Sequence, residues 1–354
     1  MKSISRPDEL PNLDALRSIA VLLVLFDHVL EAIAHKTGNS FAPYDWYLGR
    51  LGVLLFFVHT SYVLMASLER LGYSGWPLMR TFYIRRAFRL YPLALVCVLA
   101  VVVIRVPPLP WELVQVPRPG DLVANFLLVM NITKSPPVLS PLWSLPVELQ
   151  MYLVLPLIFM ATRRVTNLNN IGWIYVFALA CACGLPWLSW RLGDAVFLPC
   201  FMAGILAYGL KQKIVPVISA IWWPVFLIAL VALYVVAEDA TVGIHHTWLQ
   251  AAICLLAGLA IPLFRQSSMG SLNLVAHLVA KYSYSIYLFH CVSLWIALYA
   301  VPVGGLLVQF LIALAIQAVI SVVCYHWIES PAISIGAQLS KRRATVILPN
   351  HQSS

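Results

Sequence analysis

The chain has 354 residues, of which 61% are hydrophobic and 10% are charged, and its formal net charge is +9. Soluble domains carry roughly half apolar and a quarter charged residues, so this composition, with a mean hydropathy of +0.86, excludes a soluble protein. It indicates a polytopic, all-α integral membrane protein. The positive charge is accounted for by membrane orientation or phosphate binding, and no nucleic-acid partner is expected.

Apolar segments long enough to cross a bilayer recur along the whole chain. A spanning helix needs about 20 residues. The stretch 122–132 is too short to span and is predicted to be re-entrant or interfacial. We divide the chain into a cytoplasmic segment 1–12, a membrane domain 13–333 and a basic, disordered cytoplasmic tail 334–354. The ten predicted spans are 13–34, 47–68, 91–106, 142–162, 171–190, 194–210, 215–236, 248–264, 282–300 and 305–328.

The basic residues predict the orientation of these helices. With the N-terminus in the cytoplasm, most of the 23 Lys and Arg residues fall in cytoplasmic segments, as the positive-inside rule requires. We therefore expect both termini to be cytoplasmic. The exceptions, in spans or outer loops, are Arg17, Lys36, Arg50, Arg105, Arg118, Lys134 and Arg191.

The first span carries Arg17, Asp27 and His28. Ionisable groups inside a span are costly and are functional by default. Arg17 and His28 are eleven positions apart, so they share a helix face and lie about 16 Å apart along the axis. A neutral imidazole in the outer half of the bilayer can act as a general base, and Asp27, about 100° away on the helix, need not be its partner. The alternative is that Arg17 snorkels to the surface and His28 is a structural residue.

The inner loop 69–92 contains Arg70 near its start and four more arginines between positions 80 and 89. Arg86 and Arg89 are three positions apart at the start of the third helix, hence on one face. Guanidinium groups form bidentate contacts with phosphate, which favours a phosphate-rich cytoplasmic donor. Topology alone would also place arginines in an inner loop. The four are Arg80, Arg85, Arg86 and Arg89.

The fourth span opens with the segment 143–148, which reads WSLPVE. Ser144 can cap the helix, and Glu148 is stabilised by the positive end of the helix dipole, which is a sufficient structural explanation. The functional alternative is that Glu148 lies at the depth of His28 and orients or charge-balances its imidazole.

The last two spans contain Tyr287, His290 and Glu329. Glu329 is a candidate partner for one of the inner arginines. Lone histidines in spans are more often structural than functional, so a direct role for His290 is the less favoured alternative and a supporting role is kept. His59, in the second span, is a weaker candidate still. The seven cysteines show no zinc-like spacing, so no metal is expected.

Six motifs occur in an order that resembles the acyltransferase family 3 membrane proteins, over residues 10–333. The chain departs from that family at His59-Thr60-Ser61-Tyr62, where an apolar residue and Ser-Gly-Phe are usual, so a glycine that permits close helix contact is lost. It also carries Ser330 where a basic residue is usual. The motifs are Arg17 with His28, FFV at 56–58, Arg86-x-x-Arg89, WSLPVELQMY at 143–152, YSIYLFH at 284–290 and WIESP at 327–331.

The resemblance implies transfer of an acyl group, commonly acetyl from acetyl-CoA, to a hydroxyl of a carbohydrate or lipid-linked glycan. It also implies the bacterial cytoplasmic (inner) membrane, with acyl-CoA, the acceptor and membrane lipids as partners. Helix rise would separate the donor-binding arginines from the catalytic residues by about 15–20 Å along the membrane normal, comparable to a phosphopantetheine arm. The implied residues are His28, Glu148 and Arg17 in catalysis, Arg85, Arg86 and Arg89 in donor binding, and Asp27, His290, Tyr287 and Glu329 in support.

A proton-coupled transporter or flippase is the competing interpretation, because ten helices with intramembrane His, Arg and Glu residues could form a proton pathway. The sequence shows no paired half-helix breaks in corresponding positions of two halves, which argues against this. A structural or sensory membrane protein would leave the buried charges unexplained.

Overall fold

The computed structural model describes residues 10–39, 44–163, 168–240 and 245–345. These ranges are helical and hold no β-strand, which confirms the all-α class. The helices are α1 (Pro11–Thr37), α2 (Tyr44–Leu71), α3 (Gly75–Ile104), α4 (Pro119–Leu127), α5 (Met130–Thr133), α6 (Ser144–Arg163), α7 (Leu168–Leu188), α8 (Leu198–Lys211), α9 (Trp222–Asp239), α10 (His245–Ala260), α11 (Gly270–Trp295), α12 (Leu306–Cys324) and α13 (Ser330–Thr345).

Seven helical segments in the described ranges are long and apolar enough to cross a membrane. The apolar helices Gly172–Leu188 and His246–Ala260 are shorter, and α1 has sufficient length but carries several charges. The chain is therefore a multi-pass membrane protein. The count of ten spans and the orientation of the termini stay predictions.

The third helix begins earlier than the sequence predicted. α3 starts at Gly75, after a short connection in which Gly72 has a left-handed backbone (φ 68°). The arginines that we assigned to an inner loop therefore lie within α3. Pro92, at the end of that predicted loop, lies inside α3 as well. The loop assignment was wrong because Pro77 lies in the first turn of α3, where proline is tolerated, and residues 78–91 include no Gly or Pro.

Two further segments, neither of them predicted as a spanning helix, are helical. The stretch 122–132 forms parts of α4 and α5, which are separated by Leu128 in a left-handed conformation (φ 55°). Residues 334–345 of the predicted disordered tail are helical and belong to α13, which packs on α3. Residues 1–9 and 346–354, in the predicted terminal segments, lie outside the described residues.

The chain divides into two compact units. Unit 1 comprises residues 1–63 and 167–283, and unit 2 comprises residues 64–166 and 284–354. The division falls within α2 and within α11, so each of these helices contributes residues to both units.

Glycines allow close helix contacts in unit 1. A β-carbon on Gly52 of α2 would lie 2.5 Å from the carbonyl oxygen of Ala20 on α1. A β-carbon on Gly258 of α10 would lie 2.6 Å from the carbonyl oxygen of Ala203 on α8. Small residues let helix backbones approach closely in membranes, and these contacts join α1 to α2 and α8 to α10.

The contact between α2 and α8 explains how the chain accommodates Ser61 in place of the usual glycine. A β-carbon on Gly204 of α8 would lie 2.1 Å from the carbonyl oxygen of Val58. The Ser61 hydroxyl points back along α2 and donates to the carbonyls of Phe57 (2.9 Å) and Val58 (3.1 Å). The glycine that permits this close contact is therefore on the partner helix.

Unit 2 is built around α3, on which α6 and α13 pack. At the end of α12, residues Tyr325–Glu329 form a π-helical turn that also contacts α3. Such turns often occur at functional sites, and this one ends in Glu329, which is 1% exposed.

The Gly204 contact makes a direct prediction. Gly204→Ala should destabilise the protein by about 1–3 kcal/mol, because the added methyl group overpacks against the α2 backbone. The measurement is thermal unfolding in detergent. Gly184→Ala on α7 is the control, since nothing lies within 4 Å of its β-carbon position; equal melting temperatures for the two variants would contradict this account of the contact.

Candidate active site

His28 is half-buried on α1, and its hydrogen bond identifies the basic nitrogen. The Nδ1 atom lies 3.0 Å from the carbonyl oxygen of Val24, one turn earlier. A carbonyl oxygen can only accept, so Nδ1 carries the proton and donates it. In the neutral imidazole, Nε2 is then the nitrogen that can accept a proton.

Two carboxylates accompany His28 on the same helix. Asp27, His28 and Glu31 each offer a side-chain atom, and these atoms lie within 4.8 Å of one another. Asp27 is 5% exposed and lies against α2, where a β-carbon on Gly49 would be 2.3 Å from its Oδ2. Carboxylates beside an imidazole stabilise the imidazolium that forms on proton transfer. The same three residues have the ligand types that could hold a cation.

Arg17 is held inside unit 1 by contacts with two other helices. Its Nε donates to the Ser283 hydroxyl of α11 at 2.6 Å, and its guanidinium carbon lies 5.3 Å from the ring centroid of Phe56 on α2. These contacts orient the Arg17 side chain towards α2 and α11.

Glu148, in unit 2, is a neighbour of Arg86. Tyr152, one turn further along α6, donates a hydrogen bond to Glu148 Oε1. Both residues interact electrostatically with Arg86 of α3. The predicted separation of Glu148 from the arginines by the length of a phosphopantetheine arm is therefore wrong. The reason is the early start of α3, because Arg86 lies eleven residues, or about 16 Å of helix rise, beyond Gly75.

The motif at 284–290 contacts the start of α6, where the motif at 143–152 lies. The Tyr287 hydroxyl donates to the carbonyl oxygen of Pro141 at 2.7 Å. Since that proton is used, the Ser144 hydroxyl must donate in its 2.7 Å contact with Tyr287. Ser144 makes no capping hydrogen bond, contrary to the prediction, because the 3₁₀ turn Ser140–Trp143 leads directly into α6. Tyr287 instead fixes the start of the helix that carries Glu148.

Arg89 is the inner arginine that pairs with Glu329. Its Nη1 contacts Glu329 Oε1, and the side chains are 22% and 0% exposed respectively. The Ser285 hydroxyl donates to the other carboxylate oxygen at 3.3 Å. The Arg89 ion pair therefore joins α3 to the π-helical turn. Arg86, in contrast, has Glu148 of α6 as its acidic neighbour.

The remaining predicted residues make local or structural contacts. Arg85 Nε donates to the Ser340 hydroxyl of α13 at 3.0 Å. His290 is 1% exposed, and its Nδ1 donates to the carbonyls of Tyr287 (2.8 Å) and Ile286 (3.2 Å).

His28 and Glu148 belong to different units, so their predicted partnership stays a prediction. The sequence analysis assigned no role to Tyr152, Ser283 or Ser285. The spacing of Tyr152 four residues after Glu148 is a local signal that could have identified it. The two serines contact residues more than 40 positions away in the chain, and no sequence pattern announces such contacts.

The Arg89–Glu329 ion pair predicts that a single variant and a double variant differ in stability. Glu329→Gln should destabilise the protein, because it leaves the Arg89 charge without its counter-ion; the exposure of Arg89 keeps the loss below the roughly 3–5 kcal/mol of a fully buried pair. Adding Arg89→Met should recover part of that loss, because both charges are then absent. Thermal unfolding of the single and double variants measures this, and a double variant less stable than Glu329→Gln would contradict it.

Comparison with known proteins identifies the family. The sequence model of the acyltransferase domain of family 3 matches residues 10–330. The acyltransferase MdmB of Streptomyces mycarofaciens is 27% identical over 191 residues, which cover 51% of this chain and 46% of MdmB; the chain thus matches about half the length of this curated relative. No solved structure matches. Because the family match covers nearly the whole chain, the protein belongs to acyltransferase family 3.

Proposed function

We propose that the protein transfers an acyl group, acetyl in the first instance, from cytoplasmic acyl-CoA to a hydroxyl of a cell-envelope carbohydrate or lipid-linked glycan. Membership of the family supports acyl transfer within a membrane domain. The observation that carries the residue-level proposal is the Val24 hydrogen bond, because it leaves Nε2 of His28 as the basic nitrogen.

In this mechanism His28 is the general base. Nε2 takes the proton of the acceptor hydroxyl as that oxygen attacks the thioester carbonyl carbon. The tetrahedral intermediate collapses with cleavage of the C–S bond, and the imidazolium returns the proton to the leaving thiolate. The products are the ester and CoA, and His28 is neutral again. Asp27 and Glu31 stabilise the imidazolium while it exists.

Arg86 is the α3 arginine best placed to bind donor phosphate. Its Nε is buried and has no hydrogen-bond partner among the described residues, whereas Arg89 is paired with Glu329. A guanidinium suits phosphate oxygens because it offers two parallel donors. Glu148 partly balances the Arg86 charge, and this proposal assigns it to Arg86. Its support of the His28 imidazole stays a sequence-based prediction.

Proton-coupled transport is the alternative function. It would use the same intramembrane His, Arg and Glu residues but would consume no acyl-CoA. Turnover of radiolabelled acetyl-CoA or succinyl-CoA by the purified protein, with a panel of cell-envelope glycans as acceptors, separates the two functions.

The proposed mechanism predicts the effect of replacing His28. His28→Ala should lower acyl transfer by about 10²–10⁴-fold, the usual contribution of a general base, without loss of expression or thermal stability. The control is His277→Ala, since His277 is 51% exposed and pairs with Asp14 away from His28. Near-normal turnover of the His28 variant would remove this residue from the mechanism.

The proposed role of Arg86 predicts an effect on donor binding. Arg86→Gln should raise the KM for acetyl-CoA while leaving the KM for the acceptor unchanged, because the variant loses the charge and the fork that bind phosphate. Arg80→Gln, on the same helix, controls for the loss of one positive charge. If both variants have the same KM for acetyl-CoA as the wild type, Arg86 does not bind the donor and contributes only to the membrane orientation of the chain.

A further inference from the structure

His59 is a buried histidine that the proposed mechanism does not use. It lies on α2 and is 4% exposed, and its Nδ1 has no hydrogen-bond partner in the described part of the chain. Burying such an atom without a partner is unfavourable, and such atoms are rare in native structures. An apolar residue is usual here in the family, so this chain carries a cost that the fold does not require.

The surroundings of His59 are polar on one side. The Phe56 ring is a neighbour of both groups: its centroid lies 6.3 Å from that of the His59 ring and 5.3 Å from the guanidinium carbon of Arg17. Arg17 also interacts electrostatically with His59. Ser283 accepts from Arg17 Nε and donates its own proton to the carbonyl of Ala280 at 2.8 Å. Side chains from α1, α2 and α11 therefore converge inside unit 1.

The chemistry of this cluster calls for an oxygen acceptor. A guanidinium only donates hydrogen bonds, and an imidazole can donate one. The Ser283 hydroxyl already donates to Ala280, so its proton is not directed at His59. In the tautomer that carries its proton on Nδ1, an amide carbonyl or a phosphate oxygen from outside the chain would satisfy this buried nitrogen, and it could also accept from Arg17.

The position of the cluster along α1 indicates which molecule supplies that oxygen. Arg17 lies on the face of α1 that carries His28 and is about 16 Å from it along the helix axis. In the proposed function the thioester lies at His28 and the donor enters from the cytoplasm. We propose that His59, together with Arg17, binds an oxygen of the phosphopantetheine arm of the acyl donor. This inference rests on the proposed function.

The test is a titration of the purified full-length protein in nanodiscs with CoA, followed by the rise in melting temperature that binding produces. His59→Leu should need about tenfold more CoA for the same rise, as expected for one lost hydrogen bond. His59→Asn should stay within about threefold of the wild type, because its amide can replace Nδ1 as a hydrogen-bonding group. Without CoA, His59→Leu should be at least as stable as the wild type, because the unsatisfied polar atom is gone.

A parallel titration with pantetheine, which lacks the phosphates, identifies the oxygen. An equal loss of affinity for CoA and pantetheine in His59→Leu assigns the oxygen to the amide part of the arm, and a loss confined to CoA assigns it to phosphate. CoA affinity in His59→Leu equal to that of the wild type overturns the inference and leaves the proposed function standing. A wild-type protein that neither binds nor turns over acyl-CoA overturns both.

Discussion

Ionisable groups buried in apolar helices are costly, and their need for partners decides which helices of this protein contact each other. A charge in such surroundings needs a counter-charge or hydrogen-bond partners. Arg89 meets this requirement with Glu329, and that pair joins α3 to the end of α12. The π-helical turn before α13 ends in Glu329 and carries it to a fully buried position beside Arg89.

The two arginines of the Arg-x-x-Arg motif show how neighbouring helical positions can serve different purposes. Arg89 forms an ion pair, whereas Arg86 lies beside Glu148 and Tyr152 and has a buried nitrogen without a partner among the described residues. The motif therefore contains one arginine that joins two helices and one that we propose binds the donor. The division follows from which helix each side chain faces.

The proposed base depends on contacts within a single helix. His28, the Val24 carbonyl that binds its Nδ1 and the carboxylates of Asp27 and Glu31 all belong to α1. On the neighbouring helix α2, Gly49 leaves room for the Asp27 side chain. The Val24 hydrogen bond within α1 gives His28 a defined tautomer. The groups that we propose bind the donor lie mainly on other helices.

Hydrophobic length and helical spacing are local properties of the chain, so they were enough to predict the all-α membrane class, the regions of the apolar helices and the motifs that identify the family. The sequence also predicted that an inner arginine could pair with Glu329. Only the tertiary structure showed that Arg89 is that partner, that Tyr287 engages Ser144, and that Gly204 supplies the close contact which Ser61 could not. These contacts join residues far apart in the chain, and they depend on which helix faces meet, which no local pattern encodes.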